Sequence, residues 1–435
     1  MNESEQEITI ENLDHLGIIA GIIDEIGLVE TVNHLDSTSF HLHGEYNNRP
    51  NREAEQEVIT EYPIKITHGY SRDHRPDLKQ CILDLIVSGD GEIPLFLRVG
   101  SGNESDKAMF GKILLEYAKQ IDFESTMIAD SAFYTANNLK MMENIKWISR
   151  VPLSIKAAKT SVREKEEKEL TASEHQGYSY WEKKISYGGV EQRWLLVESA
   201  ERKRSDRDKI VKKIENERRE ISKKIANIWR QEFDSEVTAT SQIVALESKL
   251  KYHLLLDKQI VTSVRWGKEI YRINATIEEN TQLINEENNQ AGRFILATND
   301  LESSRLSCDD ILAEYKNQQG CERGFNFLKD PWFFADSLFV KNPERVETMM
   351  MLMGLALLVD KLGQRQIRVK LQAQSAAIKN QLNKLTAKPT LIWIFQCFQG
   401  IHLLNMNGTE QIINLTNERE NILQFLPLRC QEYYR

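Results

Sequence analysis

Tyr315, Gln318, Glu322, Arg323 and Lys329 lie in the segment YKNQQGCERGFNFLK at offsets 0, 3, 7, 8 and 14. If the segment is helical, those offsets fall close to one face. A carboxylate set among a phenol, an amide and two cations suits a phosphodiester. Glu322 would hold a metal ion, while Arg323 and Lys329 would neutralise phosphate oxygens. Two further acids stand elsewhere in the chain, Asp36 near the start of a strand-like segment rich in Thr, Ser and Phe, and Asp130 just after the segment ESTMIA. Magnesium takes hard oxygen ligands and keeps several waters, so a few carboxylates from separate segments suffice to bind it. Two such ions about 3.5–4 Å apart can serve the attacking and leaving oxygens of a phosphoryl transfer. The same helical spacing also describes an ordinary amphipathic helix with surface ion pairs. Among 65 Asp and Glu, three scattered acids prove little alone.

The elements that must carry these acids can be read from periodicity. Residues 13–32 put Leu16, Ile19, Ile22, Ile23, Ile26 and Val29 on one helical face. Leu35–His43 reads as a strand with Asp36 near its start, and 44–78 as a long polar loop. Lys79–Ser88 and Ile93–Val99 read as strands around a Gly89–Glu92 turn. Ser105–Lys119 is a helix with Ser105 as its N-cap. A strand over 124–129 runs into Asp130, followed by a helix over Thr135–Asn144 and a strand over Lys146–Val151. Three strands, a helix, a strand, a helix and a strand is the order of an RNase H-like core. That α/β fold, a mixed sheet flanked by helices, can bring Asp36 and Asp130 together despite their 94-residue separation.

Residues 155–292 should interrupt this core as an insertion. Tyr178–Tyr187 and Gln192–Glu198 read as a hairpin around Gly188-Gly189. A charged helix over 201–230 carries 12 Lys and Arg against six Asp and Glu, a net of +6, with isoleucines at coiled-coil-like intervals. It is either a solvated helix packing by its isoleucine seam or a helix lying along phosphates. A second helix over about 241–258 and a strand near 268–274 complete the insertion. Arg293–Thr298 returns as a core strand, and helices follow over about 309–330, 342–362 and 391–403. The expected domains are a residual helical segment over 1–34, a core over 35–154 and 293–362, the insertion, and a helical C-terminal region over 363–435.

Bulk properties bound the reading. A length of 435 residues predicts two or three domains, and 41% hydrophobic residues are ample for packed cores. The net charge of −9 argues against a uniformly basic nucleic-acid binder but not against local basic patches. The five cysteines, at 81, 308, 321, 397 and 430, follow neither zinc nor disulfide spacing and fit a reducing cytoplasm. No secretory signal opens the chain, and the longest apolar run, 349–359, is too short to span a bilayer. No glycine-rich phosphate loop is present. His41 and His43 alternate on a strand without a third ligand and read as structural. His74 and Arg75 in the SRDHRPD loop suit phosphate contact as well as a solvated loop. Trp332, Phe333 and Phe334 suit core packing, or stacking on an unpaired base.

The spacing Tyr315, Gln318, Glu322, Lys329 resembles the Y-x2-R-x3-E-x6-K signature of bacterial insertion-sequence DDE transposases. The blocks HLDSTSFHLHGEY, GYSRDHRPDLKQ, LFLRVGSGNESD, ADSAFY and ERGFNFLKDPWFFADSLFVKNPERVE agree, so the resemblance covers about residues 36–405. It implies that Asp36, Asp130 and Glu322 are the catalytic, metal-binding acids. Tyr315, Gln318, Arg323, Lys329, His74 and Arg75 would then face DNA. The resemblance further implies two Mg²⁺ ions, with Mn²⁺ able to substitute. Its expected partners are the element's terminal repeats and target DNA, and its expected assembly is a homodimer on paired ends. The implied activity is cleavage at the element's ends and strand transfer in a cut-and-paste reaction, in a bacterial cytoplasm. Two departures stand out. Gln318 replaces the signature arginine, and only 35 residues precede Asp36, which points to loss of most of an N-terminal DNA-binding region. The alternatives are a catalytically impaired copy that binds DNA, or a general RNase H-like nuclease.

Overall fold

The computed structural model describes residues 32–46, 64–120, 125–330, 340 and 342–434. The expected helix over 13–32, apart from residue 32, residues 47–63 of the expected loop over 44–78, and the Trp332–Phe334 group lie outside them. The chain divides into two compact units. The first comprises residues 1–149, 187–190 and 312–435, and the second 150–186 and 191–311.

In the first unit β1 (Val32–Leu42), β2 (Lys79–Ser88) and β3 (Pro94–Ser101) form an antiparallel meander. Helix α1 (Asp106–Gln120) returns the chain to β4 (Thr126–Ala129), which lies parallel to β1. Helix α2 (Ala136–Met141) leads to β5 (Trp147–Val151), parallel to β4. The strand order β3-β2-β1-β4-β5 is that expected of an RNase H-like sheet. Apart from Asp84, β2 reads as an apolar run from Cys81 to Val87 because both of its faces are covered, and nine of its ten residues are buried.

The second unit contains α3 (Lys156–Glu164), β6 (Thr171–Ala172), β7 (Tyr178–Tyr187) and β8 (Val190–Ser199), then a 31-residue helix α4 (Ala200–Arg230) and α5 (Glu236–Glu247). β9 (His253–Arg265) and β10 (Lys268–Glu279) pair antiparallel, and α6 (Thr281–Gln290) precedes β11 (Arg293–Thr298). β11, β8, β7 and β6 are neighbours in that order. Ile221 and Ile225 of α4 pack with Ile243 and Leu246 of α5 and with Leu255 and Ile273 of the hairpin, so the isoleucine seam is a core. The expected helix over 241–258 is a correction: it ends at Glu247, and residues from His253 onward form β9.

The chain then returns through α7 (Cys308–Asn317) and α8 (Gln319–Leu328) to α9 (Pro343–Ala373). β12 (Ile378–Lys379) and β13 (Leu385–Thr386) form a short ladder before α10 (Leu391–Phe398). β14 (His402–Met406) and β15 (Thr409–Ile413) form a hairpin, and α11 (Asn417–Leu423) and α12 (Leu428–Glu432) follow. The C-terminal region is therefore not purely helical as expected. The helix predicted over 391–403 stops at Phe398, where Gly400 takes a φ of +79°. The segment predicted as one helix over 309–330 is two, broken at Gln318. Helices α8 and α9 cover the face of β1 and β2 that bears Phe40, Leu83 and Leu85, through Cys321, Phe325, Leu328, Val346, Met350 and Leu357. Among the described residues no helix is long and apolar enough to cross a membrane.

Candidate active site

Asp36 lies on β1, where it pairs with Leu85 of β2. On the other side of β1 the parallel register runs from Val32 opposite Thr126 to Leu35 opposite Ala129. One step further along both chains, Asp36 comes level with Asp130, the first residue after β4. Side chains level with one another on parallel neighbours point to the same face. Two carboxylates are thus placed side by side at the point where β4 ends and its chain turns away.

That turn is built by hydrogen bonds. Asp130 Oδ1 accepts from the Ala132 amide at 2.8 Å, and the Asp130 carbonyl accepts from Ser149 Oγ at 2.9 Å. The buried Asn138 amide donates to the carbonyls of Phe133 at 3.1 Å and Lys107 at 2.9 Å, which fixes the turn against the first turn of α1. Asp36 Oδ1 accepts from the Ser37 amide at 2.8 Å.

Two residues that the sequence reading passed over complete this cluster. Arg72 pairs closely with Asp106, donates to Ser37 Oγ at 2.7 Å, and stands 3.9 Å from Asp36 Oδ1. Ser37 Oγ in turn donates to Asp106 Oδ1 at 2.9 Å. The loop bearing Arg72 is held by Gln80, whose amide donates to the carbonyls of Gly102 at 2.8 Å and Tyr70 at 3.2 Å. Gly69 and Gly102 permit this crossing, since a Cβ on either would collide with backbone carbonyl oxygen. Both missed residues sat in quoted blocks, GYSRDHRPDLKQ and LFLRVGSGNESD. Only the fold shows that they meet.

The electrostatics follow from this geometry. Burial first, then the charge of Asp130, pushes the Asp36 carboxyl up to about 7. The Ser37 amide and Arg72 pull the other way without offsetting it. Asp130 is also raised, by burial and then by Asp106, against the amides of Ala132 and Phe133 and the charge of Arg72. A single guanidinium thus serves three carboxylates. A half-buried acid pair short of positive charge has the hard-oxygen chemistry that a divalent cation satisfies.

A model of the Transposase DDE domain matches residues 28–359. The chain belongs to that family. No curated protein sequence matches this one. Among solved structures, the chain is similar to a Mos1 transposase paired-end complex with left transposon end. That match has 10% identity and a TM-score of 0.18, and covers 31% of this chain and 38% of the other. A piggyBac transposase synaptic complex with hairpin DNA matches at 8% identity and a TM-score of 0.36, covering 98% and 65%. In each case this chain spans less than two thirds of the structure it matches.

Glu322, the third expected acid, is exposed in the first turn of α8. Its neighbour Cys321 donates its thiol to the carbonyls of His34 at 3.2 Å and Leu85 at 3.7 Å, beside Asp36 on β1 and opposite it on β2. Burial, then the charge of Asp36 and more weakly those of Glu92 and Glu322, hold this thiol well above its usual range. Gly324 lets the helix lie against the sheet, because a Cβ there would stand 3.0 Å from Leu85 Cδ2 and 3.4 Å from Leu357 Cδ2. Among the described residues no group of three His, Cys, Asp or Glu side chains stands at metal-holding distance. The structure brings Asp36 and Asp130 together and sets Glu322 on the helix that crosses β1.

The expected DNA-facing residues divide. Lys329 donates to Asp73 Oδ2 at 3.0 Å and lies 5.4 Å from the Phe40 ring centroid. His41 also meets Asp73, at 3.3 Å, so the loop after Arg72 is tied to the end of α8. Arg323 faces away from this network, its guanidinium paired with Glu92 at 2.6 Å. Arg75 is occupied by Asp77 at 2.8 Å, and His74 sits beside it with a φ of +58°. Tyr315 and Gln318 are half-buried on either side of the helix break, which corrects the expectation of one continuous helical face.

Proposed function

We propose that this protein is a DDE transposase that cuts DNA at the ends of its element and joins the freed ends to target DNA. Asp36, Asp130 and Glu322 hold divalent cations, Mg²⁺ or Mn²⁺, which activate the attacking oxygen and stabilise the leaving one when bound. Asp36 and Asp130 supply the fixed pair, held level by the β1–β4 register. Glu322 approaches from α8, whose position is set by the Cys321 contact with β1. Arg72 offers a guanidinium next to the pair, where it can meet a phosphate oxygen once the carboxylates are neutralised. Lys329 and Asp73 clamp the loop that carries Arg72. Two copies pair two ends.

The observation that carries this reading is the placement of Asp36 beside Asp130 at the end of β4, with Asp36 raised to about 7 by burial and like charge. A stable fold does not need two uncompensated acids together, and such pairs mark sites built for another occupant. The test is incubation of the purified protein with DNA spanning its own gene's flanks, scored for nicking at the boundaries with Mg²⁺, Mn²⁺ or chelator. Metal-dependent nicks at the boundaries support the reading. Cutting without positional preference would favour a general nuclease instead.

A further inference from the structure

A second cavity opens beside α8, against His34 of β1. His34, two residues before Asp36, is 1% exposed, and neither of its ring nitrogens has a hydrogen-bond partner. It lines a cavity of about 630 Å³, together with Arg323, Arg365, Arg368, Lys388 and the Gly89–Glu92 turn. That volume lies in the ordinary range for small-molecule sites. Missing side chains keep the space open. A Cβ on Gly91 would meet Arg365 Cδ at 2.7 Å, and one on Gly320 would meet Glu92 Cγ at 3.3 Å.

The charge around this cavity is unbalanced. Glu92 serves both Arg323 at 2.6 Å and Lys361 at 3.4 Å, and Asp90 serves Arg365 at 2.5 Å. Asp360 lies 3.8 Å from Lys361. Among the described residues Arg368 donates to the neutral carbonyl of Pro389, at 3.0 Å, and to no side chain. Among the described residues neither Arg368 nor Lys388 makes an ion pair. A half-buried guanidinium, a lysine and a buried imidazole without a partner therefore line one cavity, and each of them can donate to oxygen.

We infer that this cavity, lined by His34, Arg365, Arg368 and Lys388, binds the phosphate of a nucleotide-sized ligand, distinct from the carboxylate site around Asp36. Arg368 and Lys388 bring the charge that the oxyanion needs, and His34 adds a neutral hydrogen bond from the floor. The phosphate can belong to a free mononucleotide or to the 5′ end of a DNA strand. The inference stands whether or not this copy cuts DNA.

Calorimetric titration of the full chain in chelator tests it, because no metal and no catalysis are then involved. The probes are dAMP, adenosine, and one oligodeoxynucleotide with either a 5′-phosphate or a 5′-hydroxyl. The expected result is that dAMP binds at least tenfold tighter than adenosine. Arg368→Gln and the exposed Lys388→Gln should each weaken dAMP at least tenfold with melting temperatures unchanged. A tenfold gain from the 5′-phosphate on the oligonucleotide assigns the site to strand ends, and its absence assigns the site to the free nucleotide. Equal binding of dAMP and adenosine, no dAMP binding, or wild-type affinity in Lys388→Gln would overturn the proposal.

Discussion

The second unit and the Asp36 cluster of the first treat buried charge in opposite ways. In the second unit every deeply buried charge is matched. Arg293 gives Nε to Glu198 at 2.7 Å and Nη1 to the carbonyls of Val162 and Lys165, while Lys203 takes the other Glu198 oxygen at 2.7 Å. Arg193, fully buried, pairs with Glu182 and donates to the carbonyls of Leu306 and Asp300. Around Asp36, among the described residues, three carboxylates, Asp36, Asp130 and Asp106, share the guanidinium of Arg72. Matched charge holds a fold in one arrangement, whereas unmatched charge is tolerated where something else must bind. The contrast separates architecture from chemistry without reference to any relative.

The largest effect that would sharpen this contrast lies in the first unit. Asp130→Asn and Asp36→Asn should each lower metal-dependent DNA nicking by at least about a thousandfold, since a neutral amide is a poor ligand for Mg²⁺. Glu322→Gln should do the same. Gel assays on boundary DNA measure this, and near-normal cutting by any one variant removes that residue from the site.

The second test turns the comparison around. Glu198→Ala leaves Arg293 buried without a carboxylate, while Lys203 keeps Glu167, so urea unfolding should show a loss of about 3–5 kcal/mol. A loss under 1 kcal/mol would show that the matching in this unit is incidental.

The third test concerns sign. Asp36 and Asp84 are both raised to about 7, chiefly by burial, from an unfolded value near 4. Folding therefore takes up protons between about pH 4 and 7, and metal-free stability falls as pH rises through that window. Asp36→Asn should accordingly melt about 2–4 °C higher than wild type at pH 7.5 in chelator, with the gap closing by pH 4. Added Mg²⁺ should raise the melting temperature of the wild type but not of the variant. A variant that melts lower at pH 7.5 would mean that the carboxylate is structurally paired after all.

The smallest expected effect concerns Gln318. Restoring arginine there should tighten binding of element-end DNA about three- to tenfold at low salt, with a steeper salt dependence. Unchanged affinity and slope would place this position away from phosphate.

What the sequence disclosed follows from how local each signal is. KQCILDLIVS and RFILAT are short apolar runs bounded by polar residues, and β2 and β11 match them residue for residue. The first acid pair was legible because strand order alone brings β1 beside β4. HLLLDKQIVTSVR misled because β9 exposes Leu254, Leu256, Val261 and Val264, so its apolar residues follow no buried face and its partner lies on another strand. Arg72 and Asp106 were hidden for a different reason. Arg72 meets Asp36 across 36 positions of chain and Asp106 meets Ser37 across 69, and no spacing rule encodes either contact. The break at Gln318 likewise carries no proline or N-cap to announce it.

Gly324 has a consequence beyond close packing. Nothing but a hydrogen atom separates α8 from Leu85, the residue opposite Asp36. The depth at which α8, with Glu322 in its first turn, rests on β2 is therefore set by an absent methyl group, much as a shim sets the gap of a bearing. A thicker shim of a few tenths of an ångström matches the difference between Mg–O bonds of about 2.1 Å and Ca–O bonds of about 2.4 Å. If Glu322 holds a cation as proposed, the preferred ion would be written partly in a residue that never touches metal.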